Sequence, residues 1–210
     1  VLCVNCQQCR LECPANVDVP RLMLEAKAAY VSSNGLRFAE WLITRYDWFG
    51  AIGSLASPLT NRLIANPTFR WIMEKTIGLA QTRKLPRFAS RVFLRRPRIR
   101  RLAKPARTTG RKVLYFIDTY ANYHDPDLAE SLVSVFEHNG VSVYVPPAQG
   151  QSGIAMISMG AAELARKVAR RNLTLLADAV RQGYTIVTAE PSAALCLRVE
   201  YPPLIGDEGS

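Results

Sequence analysis

The chain has 210 residues and a mass of 23.4 kDa, is 49% hydrophobic and 21% charged, and carries a formal net charge of +10. This balance belongs to a globular protein, and no apolar run approaches the ~20 residues that a membrane-spanning helix requires. The sequence starts at Val1, two residues before a cysteine, and stops in GDEGS, so it is expected to be a piece of a longer polypeptide.

In chain order the first feature is VLCVNCQQCRLECPANVDVP, which holds four of the five cysteines. Cys3, Cys6, Cys9, Cys13 and Pro14 follow the C-x2-C-x2-C-x3-C-P spacing of bacterial 4Fe–4S proteins. Two intervening residues let the chain wrap one corner of a cubane, which makes Cys3, Cys6 and Cys9 candidate ligands of one cluster. Cys13 is carried away from it and is a candidate ligand of a partner cluster. Zinc prefers two separated pairs, or a pair with histidines, and the only histidines, His124 and His138, lie far along the chain. A disulfide framework suits a small secreted chain, whereas thiols tuned for a cluster point to a reducing, cytoplasmic compartment.

Helical grammar follows. Asp18 is expected to cap a helix with Pro20 in its first turn, opening DVPRLMLEAKAAYVSS. After Asn34-Gly35 come LRFAEWLITRYDWFGAIGSL and two short helices introduced by Pro58 and Pro67. Trp41, Trp48 and Trp71 are expected in the core, with quinone or lipid contact as the lesser reading. Between Arg83 and Lys112 stand 13 Lys or Arg and no acid. Pro86, Pro97 and Pro105 exclude one long helix there, so the stretch reads as a connector. Its arginines would meet acidic patches of a missing domain or, failing that, anionic lipid headgroups. Nucleic acid is disfavoured because no DNA- or RNA-binding motif accompanies the charge.

The period then changes. KVLYFID (112–118), VSVYV (141–145) and YTIVTAE (184–190) have strand composition, with PDLAESLVSVFEHNG and AAELARKVARRNLTLLADAVRQG as helices between them. A short helix, SAALCLRVEY (192–201), follows. Such alternation predicts a parallel sheet with right-handed crossovers, whose ligand site lies beyond the carboxyl ends of the strands. Three loops converge there: Asp118-Thr119-Tyr120, Gln149 to Gly153, and Glu190-Pro191-Ser192. No nucleotide-binding glycine motif follows a strand. No catalytic triad is present either, so no catalytic residue is assigned, and both histidines read as surface or structural. The expected class is α + α/β: a helical ferredoxin-type segment (1–82), a basic connector (83–111) and a small parallel-sheet domain (112–210).

Taken together, these residues resemble the iron–sulfur portion of FAD-linked 2-hydroxyacid dehydrogenases. That group includes D-lactate dehydrogenases and the iron–sulfur subunits of glycolate oxidase and anaerobic glycerol-3-phosphate dehydrogenase. CVNCQQCRLECPANVDVPRLMLEAKAAY is similar to that family's second cluster motif and the helix after it. FIDTYANYHDP, VPPAQGQSGIAMISMG and AEPSAALCLRVEYP are similar to three segments of its cysteine-rich CCG domain. The resemblance implies clusters that pass electrons one at a time from FAD, held on an upstream domain or separate subunit, to a quinone or other acceptor. It also implies an oxidoreductase whose catalytic flavin domain is not on this chain. Peripheral contact with the inner face of the membrane is an expectation of the basic stretch itself, where arginines alternate with Phe88, Val92, Phe93, Leu94 and Ile99. Where intact relatives place cysteines, this chain has Thr119, Gln151, Ser152, Glu190 and Ala193, which cannot replace soft thiolates. The expectation is therefore a CCG-like domain without its cofactor, serving for docking or packing, with Cys196 a buried, inert thiol. Two alternatives stand beside it: a non-redox scaffold, and a new oxygen-ligand site built from Asp118, Thr119, Glu190 and Ser192.

Overall fold

The computed structural model describes residues 5–105 and 110–206. α1 (Gln8–Leu11) is a single turn inside the cysteine run, and α2 (Val19–Asn34) begins where capping chemistry places it. The Asp18 carboxylate accepts the Arg21 N–H at 3.2 Å, and Pro20 sits in the first turn, where its missing N–H costs nothing. The next apolar run breaks at Arg45 into α3 (Phe38–Thr44) and α4 (Tyr46–Leu55). α5 (Ser57–Ala65) and α6 (Pro67–Ile77) follow, α6 being capped by Asn66, whose side chain accepts from the Thr68 and Phe69 N–H groups.

A 3-10 turn (Phe93–Arg95) and α7 (Ile99–Leu102) lead into β1 (Lys112–Tyr115). α8 (Thr119–Tyr123) and α9 (Pro126–His138) precede β2 (Ser142–Tyr144); α10 (Ile154–Ser158) and α11 (Ala162–Arg181) precede β3 (Thr185–Val187). α12 (Pro191–Leu195), a π-helical turn (Cys196–Glu200) and α13 (Tyr201–Gly206) come last. The sheet order is β2-β1-β3 and both pairings are parallel, with Val113 opposite Val143 and Thr185. The architecture is α + α/β.

β1 is the central strand, buried on both faces, which is why its sequence is a continuous apolar run rather than an alternating one. Val113, Tyr115 and Ile117 face Phe93, Ile99, Leu102, Ala129 and Val133. Leu114 and Phe116 face Leu176, Ala179, Tyr184 and Ala193 on the other side. A third cluster, around Met156, Ala165, Cys196 and Tyr201, receives Leu24 of α2 and so ties the helical part to the α/β part.

Two sequence expectations meet a different structure. The tryptophans are not core: Trp41, Trp48 and Trp71 are 37%, 61% and 53% exposed. Their helices are short and lie on the outside of the molecule, so helical spacing marks a face without telling whether anything covers it. The basic stretch, in turn, is partly core, because Phe93, Ile99 and Leu102 are buried against the sheet. Three of its arginines meet acids of this chain. Arg96 pairs with Asp127 at 2.8 Å, Arg98 with Glu130 at 2.7 Å, and Arg101 with Glu137 at 2.7 Å, all three acids lying along α9. Among the described residues no helix is long and apolar enough to cross a membrane.

Candidate functional site

Two regions are candidates: the cysteine loop and the junction of the three strand-end loops. In the first, Cys3 lies outside the described residues. Cys6 and Cys9 are exposed, Cys13 is half-buried, and none of the three is in a disulfide. The backbone coils tightly around them, with Asn5, Gln7 and Asn16 all in the left-handed region at φ 57°, 63° and 53°. Such conformations are costly for residues with a Cβ and persist only where surrounding contacts hold them. Those contacts are visible. Asn5 and Gln7 donate their side-chain amides to Glu200 Oε1 at 3.1 and 2.9 Å, and Gln7 also donates to Asn5 Oδ1 at 2.7 Å. The Val17 N–H donates to Cys13 Sγ at 3.4 Å, and Arg10 lies 3.6 Å from Asp18. Among the described residues no three His, Cys, Asp or Glu side chains converge as a metal site. The donor set, accessible thiols on a tightly coiled loop, suits thiolate ligation in chemistry.

The second site gathers the strand-end loops as their topology requires. Asp118, buried at the N-terminus of α8, accepts the Thr119 N–H at 2.9 Å and the Ser152 N–H at 3.1 Å. Glu190 accepts the Ala121 N–H at 3.0 Å and the Tyr120 N–H at 3.3 Å. Gln151 is buried; its N–H donates to Asp47 of α4 at 3.2 Å, and its carbonyl accepts from Asn172 at 2.9 Å. The Ser152 carbonyl accepts from Tyr201 at 2.7 Å and from Cys196 Sγ at 3.3 Å. Ala193 is fully buried in the sheet core, whereas Ser192 is exposed and outside the cluster. The loops that carry the positions read as former cysteine sites thus meet, and those positions bond to neighbouring groups of the junction: Asp118, Asp47, Asn172, Tyr201 and the Tyr120 and Ala121 N–H groups. Asp47, Asn172 and Tyr201, which complete the junction, carry no local sequence signal. His124 sits nearby in a structural role: its Nε2 bonds the Tyr46 hydroxyl and its Nδ1 bonds the Arg87 carbonyl.

Burial governs the electrostatics of this junction. It pushes the Glu190 carboxyl up to about 7 and the Asp47 carboxyl up to about 6, and the nearby Asp118 adds to both. Asp118 itself is raised by burial, against the bonds from Ser152 and Thr119. A carboxyl whose folded pKa exceeds its unfolded one keeps its proton longer when folded, so its ionisation opposes folding. The penalty is absent below the unfolded value and complete above the folded one. Stability to urea should therefore fall as pH rises from about 4 to about 7 through these groups. In Glu190→Gln the fall should be smaller; an unchanged pH profile would refute the assignment.

No family model matches the chain, and no solved structure matches it. One of the subunits of the anaerobic glycerol-3-phosphate dehydrogenase of Escherichia coli K12 is 24% identical over 194 residues, a match that takes in 91% of this chain and 48% of the relative. D-2-hydroxyglutarate dehydrogenase of the same organism is 24% identical over 212 residues, covering 98% of this chain and 21% of its own length. The chain is a relative of these dehydrogenase proteins. D-2-hydroxyglutarate dehydrogenase of Pseudomonas putida adds 22% identity over 213 residues, covering 99% of the chain. Matches of this extent take in the helical and α/β parts together. The chain spans about half the length of the glycerol-3-phosphate dehydrogenase relative and about a fifth of the D-2-hydroxyglutarate dehydrogenases.

Proposed function

We propose that the chain is the iron–sulfur, electron-transfer portion of an FAD-linked dehydrogenase acting on a 2-hydroxyacid or polyol phosphate. Cys3, Cys6 and Cys9 would hold one 4Fe–4S cluster and Cys13 would serve a partner cluster, with residues 1–82 as the cluster-bearing unit and 112–210 as its base. The observation that carries this reading is the C-x2-C-x2-C-x3-C-P run on a loop whose Cys6 and Cys9 are exposed and free of disulfides. When bound, a cluster supplies one-electron transfer. The chain's own residues supply soft donors, an N–H directed at the Cys13 sulfur, and the nearby charges of Arg10 and Asp18. Flavin and substrate would lie on another domain or subunit, and a quinone or another acceptor would take the electrons. One relative is by name a single subunit of its dehydrogenase, which supports a multi-chain arrangement. Exposed Trp48 and Leu55 of α4 offer apolar surface to such a partner. The hydrogen bonds that close the three loops on one another favour a scaffolding role for the α/β part.

The test is iron and sulfide analysis of the natural protein purified without oxygen. It should be brown, with a broad visible absorbance that bleaches on reduction, and Thr119→Ala, Gln151→Ala and Glu190→Ala should leave its iron content unchanged. A colourless, iron-free preparation would refute the cluster. Loss of iron from the three alanine variants would move the ligands to the α/β part.

A further inference from the structure

Residues 78–88 arch over α5 and α6, and a buried arginine holds the arch. Arg70 is 5% exposed; its Nη2 donates to the carbonyls of Ala80 at 2.6 Å, Arg83 at 2.5 Å and Gln81 at 3.3 Å. Its Nη1 is buried without a hydrogen-bond partner. Asn61 fastens the far end of the arch, donating to the Phe88 carbonyl at 2.9 Å and accepting the Phe88 N–H at 2.8 Å. Beneath the arch is an open cavity of about 390 Å³, whose lining includes Arg70, Arg83, Lys84, Arg87, Thr82 and Asn61 and no aspartate or glutamate.

Four cations on one cavity wall repel one another, and among the described residues none of them is paired with a carboxylate. Three arginines further along the basic stretch behave differently, since Arg96, Arg98 and Arg101 are neutralised along α9. A guanidinium removed from water is strongly destabilising unless an opposite charge or good hydrogen bonds meet it. Arg70 has three carbonyls on one nitrogen and nothing on the other. We propose that this cavity is an anion site that takes a phosphate group, with Arg70 as its fixed base and Arg83, Lys84 and Arg87 as its rim. Phosphate suits the wall because its oxygens accept several charge-assisted bonds at once and its double charge offsets the repulsion. The same chemistry serves a soluble phosphate ester or the headgroup of an anionic lipid.

The experiment uses the full natural protein and leaves Arg70 intact, because that residue also holds the fold. Inorganic phosphate binding is measured by calorimetry. Retention on phosphatidylglycerol vesicles, against phosphatidylcholine vesicles, is measured by sedimentation. Wild type is compared with Lys84→Glu/Arg87→Glu and with Arg100→Glu, a charge reversal at an exposed arginine outside the cavity. The cavity variant should lose affinity about tenfold or more while Arg100→Glu stays close to wild type. Loss in the phosphate titration identifies a soluble ester as the ligand, and loss on vesicles alone identifies a lipid headgroup. A wild type that binds neither, or equal losses from both variants, overturns the proposal.

Discussion

Gly160→Ala is expected to destabilise the protein by about 2–5 kcal/mol, combining a left-handed backbone penalty of roughly 1–2 kcal/mol with an overpacking cost of roughly 1–3 kcal/mol. Gly160 has φ +80°, and a Cβ there would stand 2.8 Å from both the carbonyl carbon and oxygen of Lys27 and 3.1 Å from the Ala28 nitrogen. These are backbone atoms of α2, so no side chain can swing aside to make room. The same contact is fastened by Lys27, whose Nζ donates to the Ser158 carbonyl at 2.9 Å. Gly78→Ala isolates the backbone term, because Gly78 is left-handed at φ 77°, ψ 20° and has nothing within 4 Å of the added carbon. Urea unfolding of the two variants should separate them by more than about 1 kcal/mol. Equal losses would mean that α2 does not seat on the turn at Gly160.

How far these features are legible in the sequence depends on how local their causes are. The start of α2 is legible because the Asp18 cap and Pro20 act within one turn. β1 is legible because a strand buried on both faces must be apolar throughout, although the run KVLYFID outlasts the ladder, which ends at Tyr115. The convergence of Asp118, Gln151, Ser152 and Glu190 follows from strand order alone, and the loops do meet. The pairing of the basic stretch also has a local signal, since Asp127, Glu130 and Glu137 share one face of α9 at helical spacing. Arg70 is out of reach, because an arginine in an amphipathic helix is ordinarily solvated and its carbonyl partners come from an irregular turn. The tryptophans mislead for a related reason, as the pattern of a helix records which side chains share a face and not what lies opposite. Glu200 is equally invisible, because its partners are 193 and 195 residues away.

Glu200→Ala is expected to speed iron loss to a chelator about 10–100-fold in the natural protein, the usual range for removing a group that orients a metal ligand. Glu200 is 7% exposed and its Oε1 receives both Asn5 and Gln7, which flank Cys6 in the left-handed region. Without it, the buried Asn5 amide loses its acceptor and the costly φ values lose their support. Glu200 is itself well braced. It ends a π-helical turn that starts at fully buried Cys196, and Cys196 and neighbouring Tyr201 both bond the Ser152 carbonyl. Asn172, in turn, donates to Tyr201 and to the Gln151 carbonyl. The loop at the α/β junction is therefore the footing on which the cysteine loop is held in place. Glu200→Gln keeps an acceptor oxygen and should restore most of the wild-type rate if the role is positional. Asn5→Ala/Gln7→Ala should reproduce the Glu200→Ala rate, and adding Glu200→Ala to it should change little, as members of one network are non-additive. A wild-type protein that holds iron while Glu200→Ala releases it at the wild-type rate would disprove the positioning role and leave the cluster assignment standing.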